Sequence, residues 1–163
     1  MSHPSAPDQG TRPSTQLVLE DFLPYRLSIL SNTVSGTIAS AYDQRFDLTI
    51  PEWRVMTVIA RRPGLSAAEV AERTLMDKVA VSRAVSKLLK SERITREFAD
   101  QDKRRSILNL SDKGRDVFDQ VAPMALQMEA DLLEGFTDDE IRTLNLLLDR
   151  MLARTRLLGS PRV

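Results

Sequence analysis

Residues 65–90 read L-S-A-A-E-V-A-E-R-T-L-M-D-K-V-A-V-S-R-A-V-S-K-L-L-K, and this stretch decides the fold. It predicts a short alanine-rich helix over residues 67–73, a tight turn over 74–77 and a helix of about three turns over 78–90. Two helices joined in this way are typical of the helix-turn-helix, whose second helix enters the major groove of DNA. The stretch therefore favours a DNA-binding lobe.

The second of these helices has two different sides. The residues on its apolar side are Val81, Val85, Leu88 and Leu89. The residues on its polar side are Lys78, Ser82, Arg83 and Lys87. Arg83 lies in the first half of the helix, where a guanidinium reaches a guanine edge, whereas Lys87 and Lys90 suit phosphates, which fix register. The alternative is an ordinary amphipathic helix with solvated cations.

Five helix starts are marked by capping residues. Ser or Thr followed three residues later by Glu is the capping-box spacing, in which the two side chains bond backbone N–H groups that the helix leaves free. The pairs with this spacing are Thr49 with Glu52, Ser66 with Glu69, and Thr137 with Glu140. The two further candidate N-caps are Asp77 and Ser111.

The apolar spacing between these caps predicts further elements on both sides of residues 65–90. We expect additional helices over residues 23–42, 51–60, 113–133 and 138–157. Residues 93–98 and 106–110 are predicted to form two short strands, and the polar connection over residues 99–105 is predicted to be an exposed loop. The order is four helices, a hairpin and two helices.

The predicted hairpin tip carries an unusual density of charge. Lys103, Arg104 and Arg105 stand beside Asp100 and Asp102. Three adjacent cations repel one another, so a protruding tip that carries them favours an anionic partner such as the DNA minor groove. Asp102 is expected to hold the tip or to orient Arg104. The alternative is a turn whose charges serve only solubility.

Charge is distributed unevenly along a chain with no net charge. Residues 78–105 contain nine cations and four anions, whereas residues 111–149 contain ten anions and three cations. A local basic surface on an otherwise acidic protein docks phosphates without making the whole molecule adhesive. Composition alone leaves an ordinary solvated face as an equal alternative.

Composition argues against several other classes. No apolar run approaches the ~18–20 residues of a membrane span, and the N-terminus does not read as a signal peptide, so we expect a cytoplasmic protein without membrane contacts. The chain has no cysteine, and its one histidine is His3. Since a glycine-rich phosphate loop, a metal-spaced His/Cys cluster and a histidine-containing triad are also missing, we expect neither an enzyme nor a metal or cofactor.

Two segments resemble the MarR family of bacterial transcriptional regulators. Residues 65–90 are similar to that family's helix-turn-helix, and residues 102–114, D-K-R-R-S-I-L-N-L-S-D-K-G, match its pattern of Asp-x-Arg, then Leu-Thr/Ser, then Gly. The resemblance extends from about residue 19 to 158. It implies a homodimer with intertwined terminal helices and wings that contact DNA. The residues that it implies for DNA contact are Lys78, Val79, Ser82, Arg83 and Lys87 on the helix and Lys103, Arg104 and Arg105 on the wing.

One position departs from the family pattern. Family members usually have a left-handed glycine just after the recognition helix, and we place Arg93 there. A non-glycine residue costs ~1 kcal/mol in that conformation, so we expect this helix to end differently.

Dimerisation has support besides the resemblance. The segments 23–42 and 141–157 of the predicted helices are rich in apolar residues on more than one side, and a single core-facing stripe does not need that many. Those in the second helix are Ile141, Leu144, Leu146, Leu147, Leu148, Met151 and Leu152. A second subunit would cover the excess, and a twofold dimer reads a pseudo-palindromic site with half-sites about one helical turn apart.

The predicted fold is mainly α with a small β-hairpin, a winged helix-turn-helix with long N- and C-terminal dimerisation helices. We expect residues 1–16 to form a disordered tail rich in Pro and Ser. We expect residues 17–48 and 113–158 to form the dimerisation helices and residues 49–112 to form the DNA-binding lobe.

The resemblance also implies a small effector, because family members commonly bind small anions or aromatic acids where the dimer helices meet the DNA-binding lobe. The candidate effector residues are Tyr25, Arg26, Ser31, Asn32, Trp53 and Arg54. The arginines would anchor a carboxylate or phosphate, and Trp53 and Tyr25 would supply aromatic walls. The alternative is that Trp53 is a core residue and that the arginines pair with acids.

Residues 22–32 and 48–53 are similar to members that control aromatic-acid catabolism, some of which respond to hydroxycinnamoyl-CoA thioesters. We therefore expect a ligand-responsive transcriptional regulator, a repressor that a small aromatic acid or its CoA thioester releases from a pseudo-palindromic operator. The alternative is a winged-helix protein-interaction module without DNA binding.

Overall fold

The computed structural model describes residues 17–99 and 102–159, without the side chains of residues 99, 102–105 and 159. Met1–Gly36 and Thr37–Val163 form two compact units. The described part of the first unit contains most of α1, Leu23–Ser40. The tail predicted for residues 1–16 lies outside the described residues. Within the described ranges, no helix combines the length and apolar character that a membrane span requires.

The second unit contains the predicted helix-turn-helix and hairpin. Its elements after the end of α1 are α2 (Asp43–Phe46), α3 (Ile50–Arg61), α4 (Ala67–Thr74), α5 (Lys78–Lys90), β1 (Ile94–Ala99), β2 (Asp102–Leu110), α6 (Asp112–Leu132) and α7 (Asp138–Gly159). The predicted mainly α fold with one hairpin is confirmed. The helix expected over residues 23–42 ends earlier, at Ser40, and α2 follows it as a separate short helix that the sequence analysis missed.

The predicted caps fix the helix boundaries. In all three capping boxes the glutamate carboxylate accepts the backbone N–H three residues before it, at 2.9 Å for Glu52 and at 2.8 Å for Glu69 and Glu140. The Ser111 hydroxyl accepts the N–H of Gly114 at 3.0 Å and so caps α6. These bonds satisfy backbone donors that have no partner within the helix itself.

The core of the second unit lies among α3, α4, α5 and the hairpin. The aliphatic side chains that it buries almost completely include Val55, Met56, Ile59, Val70, Val81, Val85, Leu88 and Leu108. Each such side chain contributes roughly 1.5–3 kcal/mol by leaving water. The predicted apolar side of residues 78–90 is therefore confirmed as the side that faces the core.

The hairpin is antiparallel and is longer at its tip than the sequence predicts. Ile94 pairs with Leu110 and Phe98 with Ser106, and an isolated bridge joins Leu108 to Leu65. β2 begins at Asp102, so residues 102–105 belong to a strand, and the loop predicted over residues 99–105 was wrong in this respect. The register shifts between Phe98 and Ala99, since Phe98 pairs with Ser106 and Ala99 with Asp102, so residues 103–105 form an irregularity between these two pairs.

α5 ends through a left-handed residue, Glu92, whose φ is +58°. The left-handed position predicted at Arg93 therefore lies one residue earlier in the structure. The Ser111 hydroxyl donates to the Glu92 carbonyl at 2.6 Å, and the Ser111 N–H donates to the Arg93 carbonyl at 3.1 Å. Ser111, the N-cap of α6, therefore holds the turn that follows α5. These bonds offset the free energy that a left-handed residue other than glycine costs.

Gly114 lies in the first turn of α6, against the backbone of Arg93. A Cβ at this position would overlap the Arg93 carbonyl oxygen and lie 2.8 Å from its carbonyl carbon. Both are backbone atoms, and the bond from Ser111 fixes them. The last residue of the wing pattern is therefore glycine because α6 packs too closely on Arg93 for any side chain.

We expect Gly114→Ala to lower the free energy of unfolding by on the order of 3 kcal/mol, because the overlap forces α6 away from Arg93. The control is Gly36→Ala in α1, where an added Cβ meets no atom within 4 Å. We expect that variant to change the same quantity by no more than about 1 kcal/mol. Urea unfolding followed by circular dichroism measures both, and equal losses would contradict the packing argument.

Candidate nucleic-acid interface

α5 is fixed at its first turn and along one side. The Asp77 carboxylate accepts the N–H groups of Val79 at 2.8 Å and Ala80 at 3.2 Å, as predicted for an N-cap. The residues that α5 buries are Val81, Ala84, Val85 and Leu88. Because this side packs on the core, the opposite side must face outward.

The outward side of α5 contains all five residues predicted for DNA contact on this helix. They are Lys78, Val79, Ser82, Arg83 and Lys87, and each is exposed. Val79 is 55% exposed, so burial of this aliphatic side chain contributes little to the stability of the fold. Among the described residues, neither Lys78 nor Arg83 forms a salt bridge. α5 therefore presents two available cations, a hydroxyl and an aliphatic group on one surface.

Lys87 differs from these residues because carboxylates of its own chain hold it. Its Nζ lies 3.4 Å from Glu52 Oε1 and 3.4 Å from Asp47 Oδ1. The Glu52 side chain is only 3% exposed, and its Oε2 accepts the Thr49 N–H. One buried carboxylate thus caps α3 and also binds α5. Lys87 positions the helix, and its contact with phosphate stays a prediction.

Arg93 forms a second link between α5 and the start of α3, which the sequence analysis missed. Its Nη1 donates to the Asp47 carbonyl at 3.1 Å, and its Nη2 donates to the Phe46 carbonyl. Nothing local in the sequence signals these bonds, since the partners lie more than forty residues away. Together with Lys87, this arginine fixes the second half of α5 and the turn after it against the connection between α2 and α3.

The predicted wing residues lie in β2 at its first four positions. Asp102 pairs with Ala99 across the tip, and Lys103, Arg104 and Arg105 follow it along the strand. Their side chains are outside the described part of the chain. On β1, Arg96 and Phe98 are exposed. The backbone thus places the three cations at the outer end of the hairpin, and their contacts with DNA stay a prediction.

The predicted effector residues lie in both units, and each unit is described by itself. In the first unit, the four predicted residues Tyr25, Arg26, Ser31 and Asn32 lie on α1, and each is exposed. In the second unit, Trp53 stacks on Phe118 with 5.4 Å between ring centroids and lies 5.8 Å from the ring of Tyr42. Trp53 is therefore part of an aromatic cluster of the core. Arg54 is exposed, and burial raises the pKa of Tyr42 while the nearby Arg54 opposes that rise.

Comparison with known sequences finds a family and a relative. Residues 46–105, which extend from the end of α2 into β2, match the sequence model of the MarR family. The HTH-type transcriptional regulator BilQ of Clostridium symbiosum (strain WAL-14163) is 30% identical over 93 residues, which are 57% of this chain. The matched segment spans 65% of the length of that relative.

Comparison with solved structures finds the same fold along most of the chain. A MarR/EmrR family transcriptional regulator from Acinetobacter sp. ADP1 superposes with a TM-score of 0.80 and 26% identity, over 86% of this chain and 99% of that one. The structure of S. aureus MepR in complex with DNA superposes with a TM-score of 0.74 and 19% identity, over 83% of this chain and 98% of that one.

We expect Glu52 and Lys87 to couple by about 1 kcal/mol in a double-mutant cycle of Glu52→Gln and Lys87→Met, measured as the free energy of unfolding. Glutamine keeps an acceptor for the Thr49 N–H, so the cycle isolates the ion pair. The control cycle combines Asp47→Asn with Lys87→Met. The Asp47 side chain lies at the same 3.4 Å but is 89% exposed, and we expect its coupling to be close to zero. Equal coupling in the two cycles would show that burial of Glu52 is irrelevant.

Proposed function

We propose that this chain is a MarR-family transcriptional regulator, a homodimeric DNA-binding repressor that acts in the cytoplasm on a pseudo-palindromic operator. The observation that carries this proposal is the outward side of α5, where Lys78, Val79, Ser82 and Arg83 stand together at the start of a capped helix. Support also comes from MepR, which has this fold and has been solved on DNA. Recognition helices reach base edges with residues of this first half.

Each of these four side chains suits a different part of the DNA surface. Arg83 is placed to bond the O6 and N7 of a guanine in bidentate fashion, and Ser82 bonds a neighbouring base edge. Val79, which is aliphatic and exposed, packs on a thymine methyl group. Lys78 binds phosphate and sets the register of the helix in the groove. The hairpin adds Lys103, Arg104 and Arg105 at the adjacent minor groove, with Asp102 to orient them.

Dimerisation is part of the proposal because the described part of the chain leaves the apolar side chains of α7 uncovered. None of the described side chains of α7 is buried, although the helix is rich in leucine. The exposed leucines of α7 are Leu144, Leu146, Leu147, Leu148, Leu152, Leu157 and Leu158. Exposed apolar surface of this extent marks an interaction site. We assign residues 17–48 and 113–158 to the dimerisation helices and residues 49–112 to the DNA-binding lobe.

The effector that we propose is a small aromatic acid or its CoA thioester. In the second unit, the exposed Arg54 follows Trp53, so a carboxylate-binding group stands beside an aromatic cluster. In the first unit, Tyr25, Arg26, Ser31 and Asn32 supply the same chemistry from α1. A ligand that binds either set of residues more tightly in the state that fits DNA poorly releases the operator by its differential affinity for the two states.

We expect Arg83→Ala to weaken binding to an operator duplex, selected from a random pool by the wild-type protein, by about tenfold or more and to relax preference at one base pair. We expect Arg104→Ala to weaken binding to all duplexes and to lower the slope of log affinity against log salt by about one. Fluorescence anisotropy across a salt series measures both effects.

The control for both variants is Arg142→Ala, because Arg142 is an exposed arginine of α7 that pairs with Asp139 at 2.8 Å. It should bind the duplex like the wild type. If Arg83→Ala and Arg104→Ala also bind like the wild type, the interface is misplaced. If the wild type binds no duplex at any salt concentration, the chain is instead a winged-helix protein-interaction module.

We expect Leu148→Glu to produce a monomer, because a carboxylate in the apolar interface must be buried without a partner. The monomer should also lose most of its operator affinity, since one half-site then binds without the other. The control is Asn145→Glu on the same helix. The Asn145 side chain donates to the Ile141 carbonyl and lies on the polar side of α7. Sedimentation analysis measures the mass, and a dimeric Leu148→Glu protein would refute α7 as the interface.

A further inference from the structure

The hairpin carries an exposed aromatic residue that none of the proposed contacts uses. Phe98 pairs with Ser106 and is the last residue of β1 before the shift in register. It is 64% exposed, whereas Ile94, four residues earlier on the same strand, is buried. Burial of the Phe98 ring therefore contributes little to the stability of the fold, and the ring is available to a partner.

Strand geometry fixes the side of the hairpin on which Phe98 lies. Alternate residues of a strand share a face, and residues directly opposite each other in an antiparallel pair share it too. Phe98 therefore lies on the face of Ile94 and of Arg96, which pairs with Leu108. Ile94 and Leu108 belong to the core to which α5 contributes its buried side. Phe98 thus continues the α5-facing side of the hairpin beyond the end of the core.

The charge around Phe98 indicates which partner the ring suits. The exposed Arg96 lies on the same face, and the backbone places the three cations of residues 103–105 at the outer end of the hairpin. The acidic residues of this end are Asp102 and Glu97, and Glu97 lies on the opposite face. An aromatic ring among cations fits a partner whose apolar faces lie between anionic groups. Stacked bases between two phosphate backbones have this arrangement.

We propose that Phe98 inserts between two base pairs from the minor groove that the hairpin reaches. This inference rests on the proposed DNA-binding function and adds to it a residue that sets sequence preference without hydrogen bonds. An apolar side chain that enters a base-pair step from the minor groove partly unstacks it and bends the duplex toward the major groove. Unstacking is easiest at pyrimidine–purine steps such as TA and CA. The operator therefore carries such a step where each hairpin of the dimer contacts it.

Selection from a random pool of duplexes by the wild type and by Phe98→Ala tests the step preference. We expect a symmetric pair of TA or CA steps in the wild-type selection and none at these positions in the Phe98→Ala selection. Replacement of each step by AA should weaken wild-type binding about tenfold in fluorescence anisotropy and leave Phe98→Ala binding unchanged. Phe98→Leu keeps an apolar wedge and should keep most of the preference. The control is Thr95→Ala, exposed on the opposite face of β1, which should keep all of it.

Bending of the duplex is a second readout that does not depend on affinity. With a donor and an acceptor dye at the two ends of the selected duplex, saturating wild type should raise energy transfer, and saturating Phe98→Ala should raise it less.

The outcomes separate this inference from the proposed function. If the wild type binds no duplex, both fail. If the wild type binds but Phe98→Ala shows the same step preference and the same bend, the inference alone fails. It also fails if Thr95→Ala loses the preference equally, or if Phe98→Ala has a smaller mass in sedimentation, because the ring would then belong to a protein interface.

Discussion

The packing of one side of α5 onto the core is the constraint on which the other features depend. Val81, Val85 and Leu88 are almost fully buried, and a helix that buries these positions must turn the opposite positions outward. The outward residues then include Arg83 and Val79 by geometry alone. A chain with no net charge can therefore present a cationic surface, since the fold places the polar and apolar side chains of α5 on opposite sides.

Two polar links make that packing specific. Glu52 caps α3 and binds Lys87 with the same carboxylate, so the start of α3 and the second half of α5 are held as one piece. At the other end, Ser111 holds the carbonyls of Glu92 and Arg93, and Gly114 lets α6 approach them. The start of α6 is thus held against the turn that joins α5 to the hairpin. The proposed contact of α5 and the hairpin with DNA needs this rigidity, because both elements must reach their grooves together.

Local signals in the sequence predicted most of the fold. Contacts between residues far apart in the sequence could not be predicted in this way. Caps such as Ser66 and Asp77 act within three residues, so the starts of α4 and α5 could be located directly. α2 has no side-chain cap and is too short to show periodicity, so it was missed. The ion pair between Lys87 and Glu52, thirty-five positions earlier, could not be predicted, because sequence spacing does not show which helices are in contact. The strand at residues 102–105 was missed because its charges suggest a loop, and the shift in register between Phe98 and Ala99 has no local signal in the sequence.

The absence of cysteine permits a direct measurement of the central claim, that the outward side of α5 lies against DNA. Ser82→Cys on α5 and Thr143→Cys on α7 each introduce the one thiol of the protein, which an aryl azide photocrosslinker then labels. On illumination with a selected operator duplex, position 82 should crosslink to bases at one symmetric pair of sites, and position 143 should give no adduct. Crosslinking from position 143 with none from position 82 would contradict the account.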